Sequence, residues 1–284
     1  MQATTTEATR RHVRCDFCGA DDGEPVYEHT DGSYSKCRHC GFVYADPIAA
    51  DTAADNEAFF TESLQRYVTK NYAADKQRHY RRIVRKFARY RKTNCFLEIG
   101  CNVGGLLLQA RKQGWKPVGV EPVDVCARYG REHHNLEIIT GTLEQADLAA
   151  DRFDVVYGND VFEHLSSPTL VFAEVGRVLR SGGVLYLDTV NYESYTRGMM
   201  GDQWKMLNPS AHYSIYSPDT LRAFCEKAGL KVLRLKTHGV RNRMKSESSL
   251  SLPRMFDEIG KLPYSIASRF TLKGDSLSVL AQKA

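Results

Sequence analysis

Two sets of residues in this chain have types and spacings that suit chemistry. The first is Cys15-x-x-Cys18 and Cys37-x-x-Cys40, two tight thiol pairs separated by 18 residues, each followed by a glycine. A Cys-x-x-Cys turn brings its sulfurs together, and the glycine lets backbone N–H groups point at them. Four thiolates suit a tetrahedral Zn²⁺ and close its shell, which makes such a site structural rather than catalytic. A redox dithiol or an iron–sulfur centre is the competing use of the same residues. His39, inside the second pair, is a bystander to a shell that four sulfurs already fill.

The second set begins at Glu98. The run Cys95-Phe96-Leu97-Glu98-Ile99 is followed by the turn Gly100-Cys101-Asn102-Val103-Gly104-Gly105, and apolar residues then fill Leu106 to Ala110. The pattern predicts a strand, a tight turn and a helix start, where glycines admit a ligand to the backbone and the new helix offers unpaired N–H groups. Val118-Gly119-Val120-Glu121 predicts a further strand ending in a carboxylate 23 residues after Glu98. A carboxylate there suits the two O–H donors of a ribose. The chain has neither Gly-x-Gly-x-x-Gly nor a P-loop Lys-Ser/Thr pair at this turn, so the dinucleotide and nucleoside-triphosphate readings do not apply.

Glu98-x-Gly100-x-Asn102-x-Gly104 resembles motif I of the class I S-adenosylmethionine (SAM) methyltransferases, Asp/Glu-x-Gly-x-Gly-x-Gly, with asparagine at the middle glycine. Asparagine tolerates positive φ, so the turn survives the change. Phe153-Asp154-Val155-Val156, Glu163-His164-Leu165 and Leu179-Arg180-Ser181-Gly182-Gly183 resemble later motifs of the same enzymes, and the resemblance covers roughly residues 94 to 240. It implies a Rossmann-like, doubly wound α/β fold of seven strands with an antiparallel last strand, preceded by a small zinc ribbon. It also implies that Glu98, Gly100, Asn102, Gly104 and Glu121 hold SAM, that Thr142 and Leu143 meet the adenine, and that Asn159 or Asp160 contacts the cofactor.

Methyl transfer from a sulfonium leaves the protein to position the acceptor and, for a hydroxyl, to remove its proton. His164 and His212 are the candidate bases, with a rate that rises with pH through ~6.5, the ordinary imidazole value. His164 also reads as a packing histidine. His212 lies in a segment similar to one in zinc-knuckle methyltransferases that act on carbon of deoxysugar nucleotides. Those enzymes have a Tyr and a Glu shortly before the histidine, where this chain has Pro209 and Ala211. A lone base matches O-methylation better than enolate chemistry, which needs more polar help. Asp160-x-x-Glu163-His164 is similar to a cluster in ubiquinone-pathway O-methyltransferases, and this resemblance implies a second divalent cation at those three residues.

The elements that position these residues follow from periodicity. Strands are expected at Lys116–Glu121, Leu136–Thr140, Phe153–Tyr157, Val184–Val190, Leu230–Thr237 and Leu277–Ala281, the last forming an antiparallel hairpin edge. Helices are expected at Val123–His133, Pro168–Leu179 and Pro218–Ala228. Alternating strands and helices make a parallel sheet whose ligands sit at the strands' C-terminal ends. Three sections result: a ribbon at 1–50, a linker and basic amphipathic helix at 51–93 (the stretch 46–60 reading as linker), and a SAM-binding domain at 94–284. The connection over 241–270 shows no assignable pattern.

The net charge of +5 is local. Residues 66–92 carry eleven Lys or Arg against one acid, and the other residues together are net acidic. Tyr80, Ile83, Val84, Phe87 and Ala88 form an apolar stripe there, with the basic residues on the other face. The segment is either a solvated helix packed on the next domain or an anion-attracting surface near the active-site mouth. Nucleic acid is disfavoured because no stacking platform of aromatics interleaves the basic run. With scattered thiols, no apolar span and no secretory signal, the sequence reads as cytoplasmic. The expected function is SAM-dependent methylation of a small-molecule acceptor, on oxygen, in natural-product or sugar biosynthesis. The alternatives are C- or N-methylation of a sugar intermediate, or a zinc-ribbon nucleic-acid or protein methyltransferase. Neither the acceptor nor the oligomeric state is encoded in a readable pattern.

Overall fold

The computed structural model describes residues 10–30, 32–49, 53–239 and 271–284, with Tyr264, Ala267 and Ser268. Most of the unassigned 241–270 connection lies outside the described residues. The central sheet is built from β6 (Cys95–Ile99), β7 (Lys116–Glu121), β8 (Glu137–Thr140), β9 (Phe153–Asn159), β10 (Leu179–Val190), β12 (Leu230–His238) and β13 (Ser276–Lys283). Its order is β12-β13-β10-β9-β6-β7-β8, with β13 antiparallel to both neighbours and the other pairs parallel. The final strand therefore lies between β10 and β12, one place in from the edge. Strands such as β9, whose first six residues are all buried, are apolar nearly throughout because helices cover both faces.

The helices are α1 (Ala53–Tyr72), α2 (Ala74–Arg85), α3 (Gly105–Lys112), α4 (Asp124–His134), α5 (Pro168–Val178), α6 (Tyr195–Met200) and α7 (Pro218–Lys227). Their ends follow from local chemistry. Pro168 and Pro218 occupy first turns, the Ser217 hydroxyl accepts the Thr220 N–H, and Asn135 ends α4 at φ +48°. None of the described helices is long and apolar enough to cross a membrane. The apolar stripe of α2 works as its spacing predicts: Val84 and Phe87 pack with Phe96, Leu106, Trp115 and Tyr157, although Ala88 is exposed beyond the helix end.

The expected linker at 46–60 is instead structured. Residues Ile48–Ala49 (β5) pair with Arg10–Arg11 (β1), and α1 begins at Ala53. Glu57 then reaches across to accept the N–H groups of Asp124 and Val125, both at 3.0 Å, and so caps α4. This is a tertiary cap made 67 residues away in sequence, invisible to local pattern.

The N-terminal strands β2 (Gly23–His29), β3 (Gly32–Cys37) and β4 (Val43–Ala45) form a ribbon, and it is not closed on itself. A two-residue strand from far along the chain, β11 (Ser214–Ile215), adds to β4, giving the order β11-β4-β3-β2. Phe17 and Phe42 both pack edge-on against Phe224 of α7, and Asp16 accepts the Thr169 N–H at 2.7 Å. Cys15, Cys37, Phe42 and Tyr44 belong to the same buried cluster as Leu97, Val156 and Leu187.

At the sheet's opposite rim, fully buried Asp154 accepts N–H groups from Lys92 (3.0 Å), Thr93 (2.9 Å) and Asn94 (2.7 Å) and pairs with Arg180. It fixes the chain where it enters β6. Asp154→Ala should cost roughly 3–5 kcal/mol, the cost of stranding a buried charge and its donors. Glu137→Ala, which removes an exposed partner of Arg152, should change stability by less than about 1 kcal/mol. Urea unfolding of the two variants reads the contrast, and equal losses would refute it.

Candidate active site

Glu98 ends β6 almost fully buried, and its Oε2 has no hydrogen-bond partner among the described residues. Burial and then the charge of Glu121 push its carboxyl well above the ordinary range. The turn beyond it runs through Gly100 (φ +65°), Asn102 (φ +50°) and Gly104 (φ +79°), so asparagine does take the left-handed conformation that the motif needs. Asn102 locks the turn by accepting the Val103 N–H on its own side chain at 2.8 Å. At Gly100 the constraint comes from the protein itself: an added Cβ would lie 2.5 Å from a Val161 methyl, and at Gly104 the same distance from Leu136.

Glu121 stands at the end of β7, buried beside this turn. One oxygen accepts the Asn102 N–H at 2.8 Å and the other the Val123 N–H at 3.0 Å. Burial raises its pKa against the pull of those two donors. Each oxygen keeps lone-pair capacity for one O–H of a diol. The Gly141 N–H bonds the Glu121 carbonyl at 3.0 Å, which brings Thr142 and Leu143 to the same rim, Leu143 buried and Thr142 exposed. Asn159 and Asp160 close the other side: both are exposed, the Asn159 amide donates to Asp160 at 2.6 Å, and the following Val161 lies over Gly100. These residues share one rim, at the C-terminal ends of β6, β7, β8 and β9. A buried carboxylate with one free oxygen, a second carboxylate with spare acceptor capacity and a glycine turn are the groups that the amino-acid and ribose ends of SAM require.

Beyond this rim, His164 and His212 meet edge to face with ring centroids 5.0 Å apart. Nδ1 of His164 lies 2.8 Å from the Ala211 carbonyl, and Nδ1 of His212 lies 2.9 Å from the Met206 carbonyl. A carbonyl only accepts, so Nδ1 donates in both imidazoles, and in the neutral tautomer the lone pair is on Nε2. Burial pushes His212 down to about 4, against the Met206 carbonyl and with help from His164. Glu163 is buried next to them, its pKa raised by burial, and its Oε2 accepts the Thr189 hydroxyl at 2.7 Å.

The expected cation set of Asp160, Glu163 and His164 is not the one that converges. Asp160 sits at φ +54°, which breaks the helical turn needed to face Glu163, and its carboxylate engages Asn159. The ligand atoms of Glu163, His164 and His212 instead all lie within 4.8 Å of one another. Sequence spacing could not have found this set, because His212 comes from 48 residues further on.

The four cysteines of the ribbon also converge, with Sγ separations of 3.5 Å for Cys15–Cys40 and for Cys18–Cys37. A tetrahedron with ~2.3 Å bonds has edges of about 3.8 Å, so the group fits Zn²⁺. Gly19 (φ +76°) and Gly41 (φ +75°) form the knuckle turns. Burial disfavours the Cys37 thiolate, but N–H groups of Cys40 and His39 outweigh it and hold that thiol below its ordinary value. This ribbon grips the His212 segment. The Tyr34 hydroxyl donates to the His212 carbonyl at 2.6 Å, the Ala45 N–H to the Tyr213 carbonyl at 2.9 Å, and β11 follows directly.

Comparison with known proteins agrees with this architecture. Residues 72–235 match the family model described as a methyltransferase domain. The ubiquinone biosynthesis O-methyltransferase of Cereibacter sphaeroides is 32% identical over 145 residues, 47% of this chain and 59% of that protein. The mitochondrial enzyme of the same name from Mus musculus is 28% identical over 151 residues, 48% of this chain and 41% of its own. The match thus spans about half the length of these relatives. Among solved structures, the methyltransferase in complex with the Trm112 methyltransferase activator of Haloferax volcanii has a TM-score of 0.56 at 14% identity, covering 82% of this chain and 98% of that one. A SAM-dependent methyltransferase from Thermotoga maritima has a TM-score of 0.52 at 19% identity, covering 80% and 97%. At these identities the structural likeness speaks to fold alone. With the family model matching more than half of its length, this chain belongs to the SAM-dependent methyltransferase family.

Proposed function

We propose that this protein transfers the methyl group of SAM to a hydroxyl of a small-molecule acceptor, with His212 taking the hydroxyl proton and His164 beside it. The observation that carries the reading is the pair of imidazoles whose Nδ1 atoms are both committed to backbone carbonyls, next to the cleft of Glu98 and Glu121. SAM, when bound, supplies the electrophilic methyl. Glu121 would hold the ribose, and the glycine turn and Glu98 the remainder. The relatives' names support O-methylation; they do not support the natural-product or sugar setting expected from sequence. The four-cysteine group would hold structural Zn²⁺, its task being to keep the His212 segment in place.

A second reading has an observation of its own. The close approach of Glu163, His164 and His212 suits a divalent ion bound by one carboxylate and two imidazoles, a donor set closer to Zn²⁺ or Mn²⁺ than to Mg²⁺. Dialysis against a chelator separates the two, provided that zinc content is followed. If His212 is a free base, turnover persists while one zinc per chain remains. Loss of turnover restored by Mn²⁺ favours the ion.

For the cofactor, Glu121→Ala should weaken SAM binding by roughly 2–3 kcal/mol, or about 30- to 150-fold, in calorimetry. Unchanged affinity would refute its role. Gly100→Val should be worse, because its side chain collides with Val161 at a positive φ.

For the base, His212→Ala should reduce turnover about 10²–10⁴-fold with SAM affinity nearly intact. Because its pKa is lowered to about 4, His212 is neutral and competent at neutral pH, and loses the ability to accept a proton only as pH falls through that value. The His212-dependent part of the rate should therefore be flat between about pH 6 and 8. An inflection near ~6.5 that disappears in another histidine variant would move the role to that residue.

For the ribbon, Cys37→Ser should release the metal and also lower turnover, since β4 carries β11. Metal loss with full turnover would show that the ribbon does not position His212.

A further inference from the structure

Between α2 and the strands β12 and β13, a cavity of about 690 Å³ opens on one face of the sheet. That is the size of a small-molecule site. Its lining is mixed: Ile83, Phe87 and Leu280 give an apolar part, Tyr157 and Tyr186 stack at 5.5 Å and nearly parallel, and charged and polar side chains make up the rest. Its charges come from two elements far apart in sequence. Lys86 and Arg89 approach from the end of α2 and the turn after it, Arg234 and Lys236 from β12. Among the described residues none of the four pairs with a carboxylate. The acid in the lining is Asp188, which lies 3.4 Å from His238.

Two further observations point to a ligand. Tyr157 lines the cavity, and its hydroxyl, which is accessible from it rather than buried, makes no hydrogen bond among the described residues. The cationic character also reaches a neighbouring group: His79 is held below its ordinary value by burial and then by Lys76, Lys86 and Arg82. The cavity reaches the rim of the proposed cofactor site at Asn159. Asn159, in its lining, donates to Asp160, and the Asp188 carbonyl accepts the Asp160 N–H at 3.0 Å.

We infer that this groove binds the anionic end of a ring-bearing acceptor, a carboxylate or a phosphate, with the ring against Phe87, Tyr157 and Tyr186 and the charge on Arg234, Lys236, Lys86 and Arg89. The inference rests on the methyltransferase reading for the word acceptor, but the groove can be tested without SAM and without turnover. All four cations are exposed, so they attract an anion through their convergence on one cavity rather than through burial, and salt screens that attraction. They also discriminate between acceptors: a neutral ring would leave the same cations uncompensated. An extended nucleic acid would need a longer track with stacking side chains, which the groove lacks.

The test uses the full chain and three probes at millimolar concentration, benzoate, phenyl phosphate and neutral benzyl alcohol, followed by ligand-observed NMR. Benzoate or phenyl phosphate should bind in a salt-sensitive manner, and whichever is tighter identifies the acceptor's anion. Benzyl alcohol should bind at least tenfold more weakly. Arg234→Gln with Lys236→Gln, both on an exposed edge strand, should weaken the anionic probes about tenfold or more and leave SAM affinity unchanged. Tyr157→Phe should weaken them by a smaller factor. Failure of both anions to bind, or binding indifferent to the double substitution, overturns the inference. Displacement of the probes by a short RNA at lower concentration also overturns it, in favour of a nucleic-acid surface. Loss of SAM binding in the unsubstituted chain would instead count against the methyltransferase reading, and so the two failures are distinguishable.

Discussion

The backbone ladder between β4 and β11 is the constraint on which the proposed chemistry depends. Two residue pairs, Ser214 with Tyr44 and Ile215 with Val43, join a metal-knuckle ribbon to the segment that carries His212. The segment has little regular structure of its own: it turns through Asn208 to His212 and then meets the ribbon. A histidine on such a loop would sample many positions, at a cost in orientation that catalysis cannot recover. Tyr34 from β3 fixes the His212 carbonyl, Met206 fixes its ring, and His164 is fixed in turn by Ala211. In the proposed site the ribbon would thus serve as a wall, its thiolates holding metal rather than substrate.

A second constraint operates at the cofactor cleft. Glu98 and Glu121 are both buried and both raised in pKa, by burial and, at Glu98, by the other's charge. A buried carboxylate oxygen without a partner is unfavourable, so this rim is left incompletely satisfied. Glu121 is partly relieved by two backbone N–H groups, and Glu98 Oε2 by none among the described residues. The asymmetry marks Glu98 as the group that gains most when a donor enters the cleft, while Glu121 also holds the turn in shape before anything binds.

Much of this was legible in the sequence because its signals are local. Strand β7 falls where alternation and the carboxylate at 121 place it, and α5 and α7 begin at the prolines that predict them. What escaped has no local signal. A two-residue strand such as β11 carries no periodicity, and its pairing partner lies about 170 residues earlier. Glu57 looks like a linker acid until α1 brings it to the N-terminus of α4. The resemblance at Asp160-x-x-Glu163-His164 implied a cation set within one short stretch, but Asp160 leaves the strand end at positive φ, and the cluster that forms depends on a loop from elsewhere. The basic run was visible as charge, whereas the groove it borders needed β12 to supply the opposing pair of cations.

The interior position of β13 has a consequence for the order of assembly. Seven residue pairs join it to β10 on one side, and β12 lies along its other side. Although β12 is synthesised first, β13 is its only partner in the sheet, so it has no place there until β13 exists. Until residues 276–283 leave the ribosome, β10 presents a bare row of N–H and C=O groups, the kind of edge that recruits the wrong chain. The last two strands are therefore added together, through β13, and a nascent or truncated chain is open to aggregation along the very edge that borders the groove.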